Sequence, residues 1–224
     1  MSMRPLSLLE ARVLGVLVEK SLTVPDSYPL SLNALTLGCN QKTARDPVLN
    51  ASEAQVQGAA DALRSLSLVF ESSGSRVTRY EHNLGRSLAL PSQSVALLAI
   101  LMLRGPQTGS ELRTNSERLH RFADLSSVEA FLDELAERPE EKGGPLVVKL
   151  PRAAGAREPR WAQLLCGPVD MTAFPSEASS NDLIATGELA ALRSQQVALQ
   201  AELAALRERV DHLYKELGVG GGGG

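Results

Sequence analysis

One order of elements occurs twice along this chain, and it restricts the available folds more than any other feature. The first helix opens at Ser7-Leu8-Leu9-Glu10, a capping box in which Ser and Glu satisfy free backbone N–H groups reciprocally. Leu9, Val13, Val16 and Leu17 then recur at helical spacing, up to an end near Lys20 and before Pro25. A shorter helix fits Leu32 to Cys39. A third opens at Ser52-Glu53-Ala54-Gln55, another capping box, with Val56, Ala60, Leu63 and Leu66 on one face. The period then changes. Leu68-Val69-Phe70 is short and β-prone, Ser72-Ser73-Gly74-Ser75 turns, and Val77-Thr78-Arg79-Tyr80 returns as a strand.

The same order follows again. A helix from about Ser92 to Arg104 carries Leu97, Leu98, Leu101 and Met102, and a short helix follows Gly109. Ser126-Ser127-Val128-Glu129 caps a third, with Phe131, Leu132 and Leu135 inward. Leu146-Val147-Val148-Lys149 pairs with Arg160-Trp161-Ala162-Gln163 across a turn holding Pro151, Gly155 and Pro159. Three helices backed by a β-hairpin form a winged-helix arrangement. The predicted fold is therefore mainly α with small β-hairpins: two tandem winged-helix domains followed by a C-terminal coiled-coil helix. The boundaries are 1–88 for the first domain, 89–168 for the second and 169–181 for a Pro/Ser-rich linker. Residues 182–217 form the coiled-coil helix and 218–224 a disordered Gly-rich tail.

The coiled coil is read from heptads. With Leu189 at a and Leu192 at d, the series runs Gln196, Leu199, Leu203, Leu206, Val210, Leu213 and Leu217, and only Gln196 is polar. Glu188 and Glu202 at g precede Arg193 and Arg207 at e by five residues, which favours a parallel homodimer. The alternative is one amphipathic helix folded back on its own chain.

The block EARVLGVLVEKSLTVPDSYPLSLNALTLGCNQKTARDPV, residues 10–48, resembles the signature of the YceH-type bacterial family, whose function is unknown. The likeness extends more loosely to about residue 168. It implies a tandem winged-helix fold in a cytoplasmic bacterial protein, and it brings neither an enzymatic activity nor a ligand.

Charge and composition exclude several classes. A formal charge of -3 argues against a surface coated in nucleic acid, but it leaves local patches open. The acidity sits in residues 171–224, where four Lys+Arg face seven Asp+Glu, and the body is near neutral. Cys39 and Cys166 lack CxxC spacing and read as reduced thiols of a cytoplasmic protein. The apolar run VALLAILML at 95–103 falls short of the roughly 20 residues a membrane span needs. The N-terminal MSMRPLSLLEAR is charged where a signal peptide is apolar. His82, His120 and His212 stand in no metal-ligand spacing, no glycine-rich phosphate loop is present, and Asp133 and Glu134 point apart on one helix. We expect no enzyme, no cofactor and no metal.

Nucleic acid is the natural partner of winged helices, and Lys/Arg contacts to phosphate supply most of the binding. The DNA-binding candidates are Lys42 and Arg45 in the loop before the third helix, Arg76 and Arg79 on the first wing, and Arg152, Arg157 and Arg160 on the second. Gln57, on the outward face of the third helix with Glu53, Asp61 and Arg64, is the candidate base reader. In the second domain Glu129, Asp133, Glu134 and Glu137 make the equivalent helix acidic, so it does not enter a groove in the usual way. The loop 40–47 has two readings. In one, Lys42 and Arg45 clamp phosphate; in the other, Asn40 ends a helix, Arg45 pairs with Asp46 or a nearby acid, and Pro47 fixes the entry to the next. The wing arginines likewise read as DNA contacts or as charges that keep an exposed hairpin edge from pairing. Two functions follow: a dimeric, regulatory protein on duplex DNA, or a scaffold that binds another protein.

Overall fold

Ser7 starts the first helix as the capping pattern predicts. Its Oγ accepts from the Glu10 N–H at 3.2 Å, and the Glu10 carboxylate accepts from the Ser7 N–H at 2.7 Å. This is the computed structural model of the chain, and it describes residues 3–72, 77–153 and 155–169. The heptad segment, the Gly-rich tail, all of the linker beyond residue 169 and Arg76 lie outside the described residues.

Helix α1 (Leu8–Thr23) runs almost a turn past Lys20, because nothing before Pro25 forbids the helical backbone. A two-residue strand β1 (Leu30–Ser31) leads into α2 (Leu32–Cys39), capped by Ser31. Asn40 closes α2 and exchanges two 2.8 Å hydrogen bonds with the Ala51 backbone, which fixes both ends of the following loop. Helix α3 (Glu53–Ser65) starts at the expected Ser52–Gln55 capping box. Strands β2 (Val69–Ser72) and β3 (Arg79–His82) pair antiparallel, Val69 opposite His82, and β1 joins the other side of β3. A single turn, α4 (Leu84–Ser87), leads onward.

The second repeat has α5 (Ser92–Arg104), β4 (Gln107–Thr108), α6 (Gly109–Ser116), α7 (Leu125–Ala136), β5 (Val147–Lys149) and β6 (Arg160–Gln163). Its sheet has the order β4-β6-β5, matching β1-β3-β2 of the first. Each hairpin thus gains a third short strand that sequence reasoning missed, since two residues carry no readable period. One cap is corrected. Asp124, not Ser126, caps α7: its carboxylate accepts from the Ser127 N–H at 2.8 Å and from the hydroxyls of Ser126 and Ser127. The pattern of Ser126 and Glu129 mimicked a box that does not form.

The two repeats meet along α1 and α5. A Cβ placed on Gly15 would sit 3.0 Å from Leu103 Cγ and 3.3 Å from Met102 Cβ, so the helices pack closely there and a side chain would make its neighbours give way. From Ser94 to Leu103 every residue of α5 is buried. That explains its all-round apolar run: the helix is enclosed by both repeats. A single cluster of buried side chains extends from Leu6 to Leu165 and includes Leu14, Leu17, Leu63, Leu98 and Trp161. Backbone bonds from Asp46 N to Leu103 O (2.8 Å) and from Leu6 N to Leu165 O (2.7 Å) tie the halves together. Among the described residues the protein is mainly α-helical with two small antiparallel hairpin sheets, and no helix is long and apolar enough to cross a membrane.

Candidate nucleic-acid interface

The loop between α2 and α3 does not present both of its cations. Arg45 turns inward and its side chain is fully covered. Its guanidinium spans both carboxylate oxygens of Glu19 on α1, with Nη1–Oε1 at 3.2 Å and Nη2–Oε2 at 2.6 Å. It also donates to Gln41 Oε1 and to the carbonyls of Gly38 and Ala44. Burial pushes the Glu19 carboxyl up, but Arg45 and the neighbouring Lys20 outweigh it and hold the pKa below its ordinary value. Of the two readings of this loop, the structural one describes Arg45, with Glu19 rather than Asp46 as the acid. Arg12, fully buried beside it, donates to Cys39 O and Pro47 O and closes the loop from the other side. Lys42 remains exposed.

The third helix of the first repeat is engaged with its own hairpin. Gln57 is half-buried; its carbonyl accepts from the Tyr80 hydroxyl at 2.7 Å and its amide donates to Asp61 at 3.2 Å. Arg64 pairs with Asp61 and with Glu71 on β2. The groups suited to read a base edge are therefore occupied. On α7, Glu129, Asp133 and Glu134 are exposed, with Glu137 just beyond its end, so an acidic face stands where a groove-reading helix needs neutral or basic side chains.

The hairpins differ. On the first, Arg79 is half-buried and donates to Pro29 O at 2.8 Å. On the second, Arg152, Arg157 and Arg160 are all exposed. Sequence reasoning omitted Lys149, exposed at the base of the same hairpin with its ammonium 5.2 Å from the Trp161 ring centre. The only acid between Lys149 and Arg160 is Glu158, and Ser110 at the start of α6 binds it (2.8 Å from Oγ). Arg160 donates to Pro106 O and lies 3.5 Å from Glu111, contacts that aim it without enclosing it. A second omission is the α6–α7 connection, where Arg118 and Arg121 are exposed beside Arg113. Phe122 anchors that segment in the core and His120 packs edge-on against it. Its signal was available: a basic run at the position that loop 40–47 holds in the first repeat.

Among the described residues no group of His, Cys, Asp and Glu could hold a metal ion. Cys39 is buried and its pKa is pushed up to about 12 by burial, which leaves an inert thiol. Burial holds His82 below its ordinary pKa, its Nε2 3.1 Å from the Ser21 hydroxyl.

The family model described as a protein of unknown function, DUF480, matches residues 6–156. The UPF0502 protein of Methylibium petroleiphilum is 63% identical over 219 residues, 97% of this chain and 92% of its own. That of Leptothrix cholodnii is 60% identical over 219 residues, 96% of this chain and 97% of its own. A Burkholderia pseudomallei (strain 668) counterpart is 60% identical over 218 residues, 97% of this chain and 92% of its own.

Proposed function

The chain belongs to the DUF480 family of bacterial proteins, and from its surface we propose a tandem winged-helix protein that grips duplex DNA by its phosphates, chiefly through the second hairpin. The observation that carries this reading is the exposure of Lys149, Arg157 and Arg160 on one short hairpin that also carries Arg152. Cations so placed contact phosphate without reading bases. Lys42 and the arginines of the α6–α7 connection extend the basic surface, while α3 and α7 stay out of the groove. The protein is regulatory rather than catalytic and acts in the bacterial cytoplasm. It works as a parallel coiled-coil dimer through Leu189 to Leu217, and the resemblance of the 10–48 block to the YceH-type signature supports kinship with those proteins.

Fluorescence anisotropy with a mixed-sequence duplex at low salt tests this. We expect micromolar binding that weakens steeply with salt. Replacing Lys149, Arg152, Arg157 and Arg160 by Gln should flatten the log–log salt slope by roughly one unit for each phosphate that is no longer neutralised. Absence of binding at micromolar protein rejects the reading. The acidic face of α7 favours a second one, a scaffold that docks a basic protein segment there, and charge reversal of Glu129 and Asp133 would then abolish that docking.

A further inference from the structure

A cleft of about 600 Å³ opens on the second repeat, where the N-terminal residues and the α4–α5 connection approach the base of the β5–β6 hairpin. Pro5, Leu88, Leu146 and Leu165 form its apolar wall, and Arg138 and Lys142 supply cations. A smaller cleft of about 250 Å³ adjoins it and shares Arg138 and Lys142, so both cations stand between the two spaces.

Arg138 is incompletely used by the fold. Its Nη2 donates to Leu88 O at 2.6 Å, which fixes the guanidinium plane. Its Nη1 is enclosed and has no hydrogen-bond partner among the described residues. Glu141 lines the larger cleft and Glu134 and Glu137 the smaller, yet no carboxylate lies within ion-pair distance of Arg138 or Lys142 among the described residues. Burial lowers the Arg138 pKa with nothing to offset it. Arg45, by contrast, makes five hydrogen bonds, including two to Glu19, while the fully buried Arg12 uses both Nη atoms and leaves only its Nε without a partner among the described residues. An oriented guanidinium that lines the cleft without a carboxylate partner, a second cation nearby and an apolar wall form the arrangement that binds an anion carried on a hydrocarbon body.

We propose that this cleft is a binding site for a small amphiphilic anion, its carboxylate or phosphate held by Arg138 and Lys142 and its apolar part against Leu88, Leu146 and Leu165. The proposal stands apart from the DNA reading, since none of these residues belongs to the basic hairpin surface.

Calorimetric titration of the full chain with octanoate, and in parallel with octyltrimethylammonium, tests it. The expected result is one-to-one octanoate binding with a Kd of about 1 mM or tighter and no binding of the cation. Lys142→Gln and Arg138→Gln should each weaken octanoate by about tenfold, the worth of one charge-assisted hydrogen bond. Arg118→Gln should leave it unchanged. Circular dichroism checks that the variants fold, and Lys142, being exposed, keeps the test open if Arg138→Gln does not. Absence of octanoate binding, equal binding of the cation, or unchanged affinity in Lys142→Gln overturns the proposal.

Discussion

In the first repeat Arg12 and Arg45 point into the protein, whereas the second repeat holds Arg118, Arg121 and Arg157 outward. The element order is the same in both. For Arg45 on one side and Arg118 and Arg121 on the other, the difference follows from the loops between the second and third helices. In the first repeat this loop runs from residue 40 to residue 52 and needs internal anchors, which two buried guanidinium groups provide through Cys39 O, Pro47 O, Gly38 O and Glu19. In the second it is shorter, and the aromatic ring of Phe122 anchors it instead. An apolar anchor lets the cations nearby face solvent. Arginine content alone therefore says little about a nucleic-acid surface; what holds the neighbouring loop decides which arginines remain outside.

The sharpest way to break this contrast is to remove one arginine of each kind. Arg45→Ala leaves the half-buried Glu19 with only Lys20 as an ionic partner, and should destabilise by about 3 kcal/mol in urea denaturation. Arg157→Ala should stay within roughly 0.5 kcal/mol of the parent. Comparable losses would show that the inward and outward classes are not energetically distinct. The pair also has a pH signature. The Glu19 carboxyl is held below its ordinary value of 4.5, so its contribution is fully present above that pH and disappears as pH falls through the lower folded-state pKa. Glu10, lowered by its hydrogen bond from Arg4, acts in the same direction. Glu19→Gln should flatten the acid limb of a stability-against-pH curve without abolishing it.

The inward turn of Arg45 was not legible in the sequence, because its partner lies 26 residues earlier on another helix. Local features were readable. The spans of α2 and α5 and the boxes at Ser7 and Ser52 are decided by residues within a turn of each other, and they match the structure. Gln57 shows the same limit: its outward position on α3 was readable, but the Tyr80 hydroxyl that donates to it comes from a strand. The cleft at Arg138 was invisible, since it joins segments around residues 5, 88, 138 and 165.

A smaller effect tests how far the two repeats act as one body. Gly15→Leu would force a side chain into the 3.0 Å approach to Leu103, costing about 2 kcal/mol by overpacking. Gly58 is also mid-helix, but a Cβ there would meet nothing within 4 Å, so its change to Ala should instead gain up to about 1 kcal/mol. If Gly15→Leu splits the unfolding curve into two transitions, the repeats are separable and the shared core is only a contact between them. One transition at lower denaturant keeps them a single cooperative unit.

The smallest effect compares caps across the repeats. Ser52 begins α3 and Thr108 begins α6, each with a reciprocal box closed by Gln55 or Glu111. Ser52→Ala and Thr108→Ala should each cost about 1 kcal/mol, because one backbone N–H is then left without its acceptor. Ser126→Ala should cost almost nothing, because the Ser127 N–H that begins α7 is held by Asp124. The combined Ser52 and Thr108 variant carries the information. The two sites share no bonded partner, so their costs should add within roughly 0.5 kcal/mol if the core between them is rigid. A combined cost well above the sum would mean that loosening one repeat loosens the other through α1 and α5, and the contrast between the repeats would then be confined to their surfaces.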